Sequence, residues 1–201
     1  MIKDKVILWV SLFASLLLIM LAVFRWKLVS VLTVFIAPFI SIAVGSFFFI
    51  ILVSSIIYGL GNKARLKFVA FRPLLINVVA MVIYFFAPIA EWELKYDFVH
   101  NLNRRMEVVN AIQSGSLTLN KNEKLLSLPK QWHELSEDGV ILCEKDSSRT
   151  TILFFTFRGV LDHFSGFIYR SDSAIPEKSI FGGNFHEIEQ INNKWYWAAS
   201  W

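Results

Sequence analysis

Apolar residues are gathered into three long runs before position 90 and into short, alternating segments after position 139. The first run, Val6 to Phe24, holds nineteen residues without a charged side chain and is bracketed by Lys3 and Lys5 before it and Arg25 and Lys27 after it. As a helix it covers roughly 28 Å, about one hydrocarbon core. A cleaved signal peptide has a shorter apolar region and small residues at its cleavage site, whereas Leu21-Ala22-Val23-Phe24 runs directly into Arg25, so a retained helix is expected. The second run, Leu28 to Leu60, has 33 residues and as one straight helix exceeds the core by several turns. Pro38 supplies the place to bend, leaving residues 28–37 as a tilted or interfacial lead-in and Phe39 to Leu60 as the span. The third run, Pro73 to Ala90, opens with proline at a first helical position and carries Pro88 near its far end. The pattern predicts three transmembrane helices, at about 6–24, 39–60 and 73–90.

Beyond Ile89 there is neither glycine nor proline until Gly115, and Val99, Leu102, Met106, Val109 and Ile112 recur at three- or four-residue spacing. This predicts that the third span continues as an amphipathic helix over about 91–114. The rest reads as short strands parted by turns. Val140 to Lys145 is one; Asp146 to Arg149 is a turn; Thr150 to Leu161 is rich in β-branched and aromatic residues, with Gly159 placed to make a bulge. Gly166 to Arg170, Glu187 to Ile191 and Trp195 to Ala199 follow, the last two joined across Asn192-Asn193. The expected fold is a membrane domain, residues 1–90, followed by a small α+β domain, residues 91–201, made of one helix and an antiparallel β-meander of four or five strands.

Composition and charge sharpen this picture. Apolar residues make up 55% of the chain, which excludes a disordered tail. Residues 1–97 hold 9 Lys/Arg against 4 Asp/Glu, a balance of +5, whereas residues 98–201 hold 11 against 12, a balance of −1. The basic surplus belongs to the membrane half, so nucleic-acid binding is not expected. Lys63, Arg65, Lys67 and Arg72 lie between the last two spans without an acid among them. By the positive-inside rule this connection is cytoplasmic, the amino terminus is cytoplasmic too, and the α+β domain is extracytoplasmic. The cations of Arg25-Trp26-Lys27 oppose the rule at the outer turn. Trp26 and Trp92 at outer boundaries and Trp9 and Tyr58 at the inner one fit an aromatic belt.

The spans contain no Asp, Glu, Lys, Arg or His, which argues against a pump or coupled transporter acting alone. Asn77 is the main polar side chain of the third span, read as an interhelical hydrogen bond in preference to a substrate contact. Ala37, Ser41 and Gly45 form a small-residue stripe, and Ser11 with Ser15 repeats its spacing; both are helix-packing signals, for a partner in this chain or another.

The candidate chemistry is sparse. Asp162, His163 and Ser165 have the letters of a hydrolytic triad but sit on one turn, whereas triad members converge from distant positions. His163 and His186 with Glu187 and Glu189 lack the spacing of a zinc site, and His133-Glu134 does not open an HExxH motif. No catalytic residue, cofactor or metal is assigned. Cys143 alternates with Ile141 and reads as buried. It is the single cysteine, and no glycosylation sequon occurs in the carboxyl-terminal half, which together fit a bacterial plasma membrane better than a eukaryotic secretory route. Trp195, Trp197 and Trp201 either close the core against the helix or, with Arg158 and Arg170, form an exposed patch for a protein partner or for the headgroup region; the two arginines otherwise pair with Asp162 and Asp172. No motif names a family. The expectation is a membrane-anchored, non-enzymatic interaction protein of accessory, sensor or immunity type, in contact with the lipid bilayer and a protein partner. The alternatives are a small subunit of a transport or permeability complex, packing against copies of itself as a homo-oligomer, and a hydrolase.

Overall fold

The computed structural model describes residues 2–117, 124–145, 149–159 and 163–200. The chain divides into two compact units, Met1–Glu93 and Leu94–Trp201.

The first unit is helical: α1 (Ile2–Val23), α2 (Arg25–Leu66), a 3₁₀ turn (Lys67–Phe71) and α3 (Arg72–Phe86). Two stretches, Asp4–Val23 and Phe35–Phe86, are long and apolar enough to cross a membrane. The second takes in most of α2, the turn and α3. Helix α3 itself has 15 residues, about 22 Å, so the expected third span is shorter than read from sequence. Ala87 ends it in an extended conformation, because the residue before Pro88 is sterically kept out of the α region. The helix expected to run on from the third span is therefore interrupted at Ala87-Pro88 and starts afresh as α4 (Ile89–Ser114).

Helix α2 runs through Pro38 without losing its helical assignment, but it is not straight. Ser11 of α1 and Ser55 of α2 meet at 3.1 Å, while Phe24 alone joins the two helices. A straight helix from Arg25 to Ser55 would span about 45 Å, whereas the α1 segment from Ser11 to Arg25 covers only about 21 Å. The difference requires a bend, and the stretch that must contain it includes Pro38, which has no amide hydrogen for the helical ladder. Beyond the bend α2 runs antiparallel to α1, with Phe13 against Phe47 and Ser11 against Ser55.

The second unit is one antiparallel sheet of six strands: β1 (Leu125–Ser127), β2 (Val140–Lys145), β3 (Thr150–Arg158), β4 (Phe164–Arg170), β5 (Phe185–Asn192) and β6 (Trp195–Ser200). Their spatial order is β1-β2-β3-β4-β6-β5, so the expected meander holds only through β4. Strand β6 pairs with β4, and β5 lies outside it. Strands β4 and β5 therefore point the same way, which requires a crossover connection, and residues 171–184 supply it. Period-two alternation divides the sheet cleanly. Ile141, Cys143, Ile152, Phe154, Phe167, Tyr169 and Trp195 face Phe98, Val108, Val109 and Ile112 of α4. Leu153, Phe155, Ile168, Tyr196 and Ala198 face the crossover, from which Ile180 is buried. Strand β3 is buried from Thr150 to Phe155 because both its faces are covered there.

Two local expectations change. The irregularity in β3 falls between Phe155 and Phe157, not at Gly159. Gly159 instead donates its amide to the His163 carbonyl at 2.7 Å, closing the β3–β4 hairpin. On α4, Val99 is exposed and Phe98 takes the core position assigned to it.

Candidate functional site

In the helical unit the four buried polar side chains form one cluster. Asn77 of α3 accepts from Ser15 at 3.0 Å and donates to Ser55 at 2.9 Å and to Ser11 at 3.4 Å. Ser55 also donates to the Ile51 carbonyl at 2.8 Å. All four side chains are buried. One amide thus ties α1, α2 and α3 together. Asn77, read from the sequence as an interhelical hydrogen bond, contacts Ser11, Ser15 and Ser55. The small-residue stripe divides. Ala37 is buried, Ser41 returns its hydroxyl to the Ala37 carbonyl at 3.0 Å, and a Cβ at Gly45 would meet nothing within 4 Å. Gly45 therefore makes no close helix contact among the described residues.

At one end of this bundle Asp4 accepts from Tyr58 at 2.7 Å and from Arg65 at 2.8 Å, tying the start of α1 to the end of α2. The 3₁₀ turn lies at the same end. Ala70 is buried, and the Phe71 ring lies so close over Gly59 that a Cβ there would approach it to 2.9 Å.

In the sheet unit the residue that sequence reasoning missed is Arg105. Its position at i+7 from Phe98 puts it on the buried stripe of α4, where a cation is not anticipated. It is 2% exposed, pairs with Asp97 at 2.6 Å, donates to the Leu135 carbonyl at 3.3 Å, and its guanidinium carbon lies 4.6 Å from the Phe167 ring centroid. Burial pulls its pKa down, and the Asp97 carboxylate opposes that shift. The signal available was the one charge breaking the apolar period. Beside it, Arg104 bonds Glu134 and donates to the Gln131 carbonyl at 2.5 Å, fixing the 3₁₀ turn Lys130–Leu135 against α4.

Among the described residues the aromatic and basic side chains proposed as one patch do not gather on a common exposed surface. Trp195 is buried among Phe98, Phe154 and Tyr169, because its place in the β6 alternation faces α4. Trp197 is half-buried on the same face, and among the described residues its indole N–H has no hydrogen-bond partner. Trp201 lies outside the described residues, as does Asp162. Arg170 is buried and forms a two-pronged pair with Asp172 at 2.9 and 2.5 Å, while donating to the Ile175 carbonyl at 3.0 Å. It holds the start of the crossover and offers no surface. That pairing drives the Asp172 carboxyl down to about 2. Arg158 is exposed, pairs with Asp138 at 2.8 Å and lies over the Phe155 ring.

His163 and His186 are both exposed, and among the described residues no three His, Cys, Asp or Glu side chains gather to hold a metal ion. Cys143 is buried, and burial pushes its thiol up to about 11. Strand β5, like β1 at the opposite side, is an edge of the sheet; among the described residues it pairs with β6 alone, and its residues from His186 to Asn192 are mostly exposed. Register shifts at both ends leave Glu187 to Gln190 as its regular centre.

No known protein family, no curated protein and no solved structure matches this chain.

Proposed function

We propose that this chain is a membrane-anchored, non-enzymatic interaction protein, in which α1, α2 and α3 cross a plasma membrane of bacterial type and present the sheet unit to a protein partner on the extracytoplasmic side. The observation that carries the reading is the division of labour between the units. One is an apolar bundle whose buried polar groups satisfy one another; the other is a sheet covered on both faces, with an eight-residue strand open along one edge. Such an edge accepts an added strand through main-chain hydrogen bonds. Glu187 and Glu189 in its centre favour a partner segment that carries basic residues.

The experiment places a photo-crosslinking side chain at Gln190 of the full-length protein in its native membrane, with a control at Asn103 on α4. The expected result is one discrete adduct from Gln190, lost when Glu187 and Glu189 are both replaced by lysine. Equal background from both positions, or turnover of a substrate by the purified chain, contradicts the reading.

One observation favours a second reading. The open space around Gly45 leaves room for a helix of another subunit, as in a small component of a transport complex. A shift on a native gel caused by Gly45→Leu supports that alternative; unchanged migration removes it.

A further inference from the structure

The turn between α2 and α3 divides its apolar residues in two. Ala70 and Phe71 point into the bundle, the latter across Gly59. Phe68 is 92% exposed, the most exposed large apolar side chain among the described residues, and Val69 beside it is also exposed. A 3₁₀ turn anchored through two of its five residues holds Phe68 and Val69 outward as an apolar tip.

Cations surround that tip. Lys63, Lys67 and Arg72 are exposed, and Gly61 to Arg72 contains no acid. Lys5 on α1 is exposed as well and is brought to this end by the bond between Asp4 and Arg65. The carboxylate of that end, Asp4, already accepts from Tyr58 and Arg65. An apolar tip ringed by cations is poorly matched to water. It is matched to the boundary of a negatively charged leaflet, where acyl chains take the tip and phosphates take the cations.

We propose that the Lys67–Phe71 turn is a binding site for anionic phospholipid, with Phe68 and Val69 below the headgroups and Lys63, Lys67 and Arg72 on the phosphates. The inference rests on the membrane reading of α1 to α3 and adds lipid selectivity to it. It does not depend on the sheet unit or its partner.

The test reconstitutes the full-length chain into phosphatidylcholine vesicles carrying a trace of spin-labelled phosphatidylglycerol or spin-labelled phosphatidylcholine, and compares the motionally restricted fractions. Engagement of a single cation gives about a fivefold preference for phosphatidylglycerol at low ionic strength. The preference should fall in high salt and vanish in the variant Lys63→Gln/Lys67→Gln/Arg72→Gln. A nitroxide attached at Phe68→Cys should be more accessible to oxygen than to a water-soluble nickel chelate. Vesicle flotation with equal restriction of the two lipids, or a preference unchanged in the triple variant, overturns the lipid site alone. A chain that does not float with the vesicles overturns the membrane reading beneath it.

Discussion

Asn77 on α3 donates its side-chain amide to the Ser55 hydroxyl on α2 at 2.9 Å, and the same amide accepts from Ser15 on α1. In the proposed membrane setting apolar side chains give little reason for helices to prefer one another over lipid, and this polar contact joins all three. Asn77→Leu should therefore loosen the bundle by about 1–2 kcal/mol. Ser15→Ala should cost less, since the amide keeps its other two partners. Unfolding of the purified protein in mixed micelles by titration with a denaturing detergent measures both; equal stability of Asn77→Leu and the parent chain would remove the clasp.

Arg105 plays the corresponding part in the sheet unit, with a charge at stake. Asp97→Ala leaves a buried guanidinium held only by carbonyls and an aromatic ring. The loss should be about 2 kcal/mol, below the value for a fully buried pair because Asp97 is partly solvated. Arg105→Met combined with Asp97→Ala should recover much of that loss, because no uncompensated charge then remains. Chemical denaturation of the full chain, followed by tryptophan fluorescence, reads the difference.

Arg105 also shows where sequence reasoning stopped. Helix positions and strand segments were legible because apolar runs and period-two alternation are local signals, and β2, β3, β4, β5 and β6 each fall within a residue or a few of where the pattern puts them. Strand order is not local. The exchange of β5 and β6 depends on the chain passing over the second face between Ser171 and Asn184, which Pro176 and the Gly182-Gly183 pair announce only as a loop. Strand β1, with three residues, is too short to show a period. Trp195 and Arg170 were compatible with core or surface until the register fixed which side of the sheet each faces.

Acid should weaken the start of the crossover. Arg170 lowers the Asp172 carboxyl to about 2, below the usual value near 3.9 in an unfolded chain. A depressed acid contributes stability that is fully present above about pH 4 and is lost as the pH falls towards 2. The contribution is under about 1 kcal/mol because Asp172 is partly exposed. Asp172→Asn should flatten the stability profile between pH 4 and pH 2 and leave its shape above pH 5 unchanged, as read by denaturation midpoints across that range.

Glycines at Gly166 and Gly45 should respond oppositely to enlargement. A Cβ at Gly166 would lie 2.3 Å from the Phe154 carbonyl oxygen on the neighbouring strand, so Gly166→Ala must force β3 and β4 apart and cost about 2 kcal/mol or more. Gly45→Ala meets nothing and should leave the melting temperature of the purified chain unchanged or slightly raised, helix propensity favouring alanine.

Cys143 should be nearly inert towards maleimides in the folded chain. Its thiol is buried and pushed up to about 11, which lowers the thiolate fraction near neutral pH on the order of a hundredfold or more relative to an exposed cysteine. Rapid labelling on unfolding, and negligible labelling before it, is the expected pattern.

That inertness permits the most direct test of the whole account, which depends on the sheet unit and the Gly61–Arg72 connection lying on opposite sides of the membrane. Single cysteines are introduced as Lys194→Cys in the β5–β6 turn and Lys63→Cys beside the basic turn, and intact cells are treated with a membrane-impermeant maleimide. The account predicts that the cysteine at 194 is labelled in intact cells and that the one at 63 is labelled only after permeabilisation. Labelling at 63 with protection at 194 would contradict it.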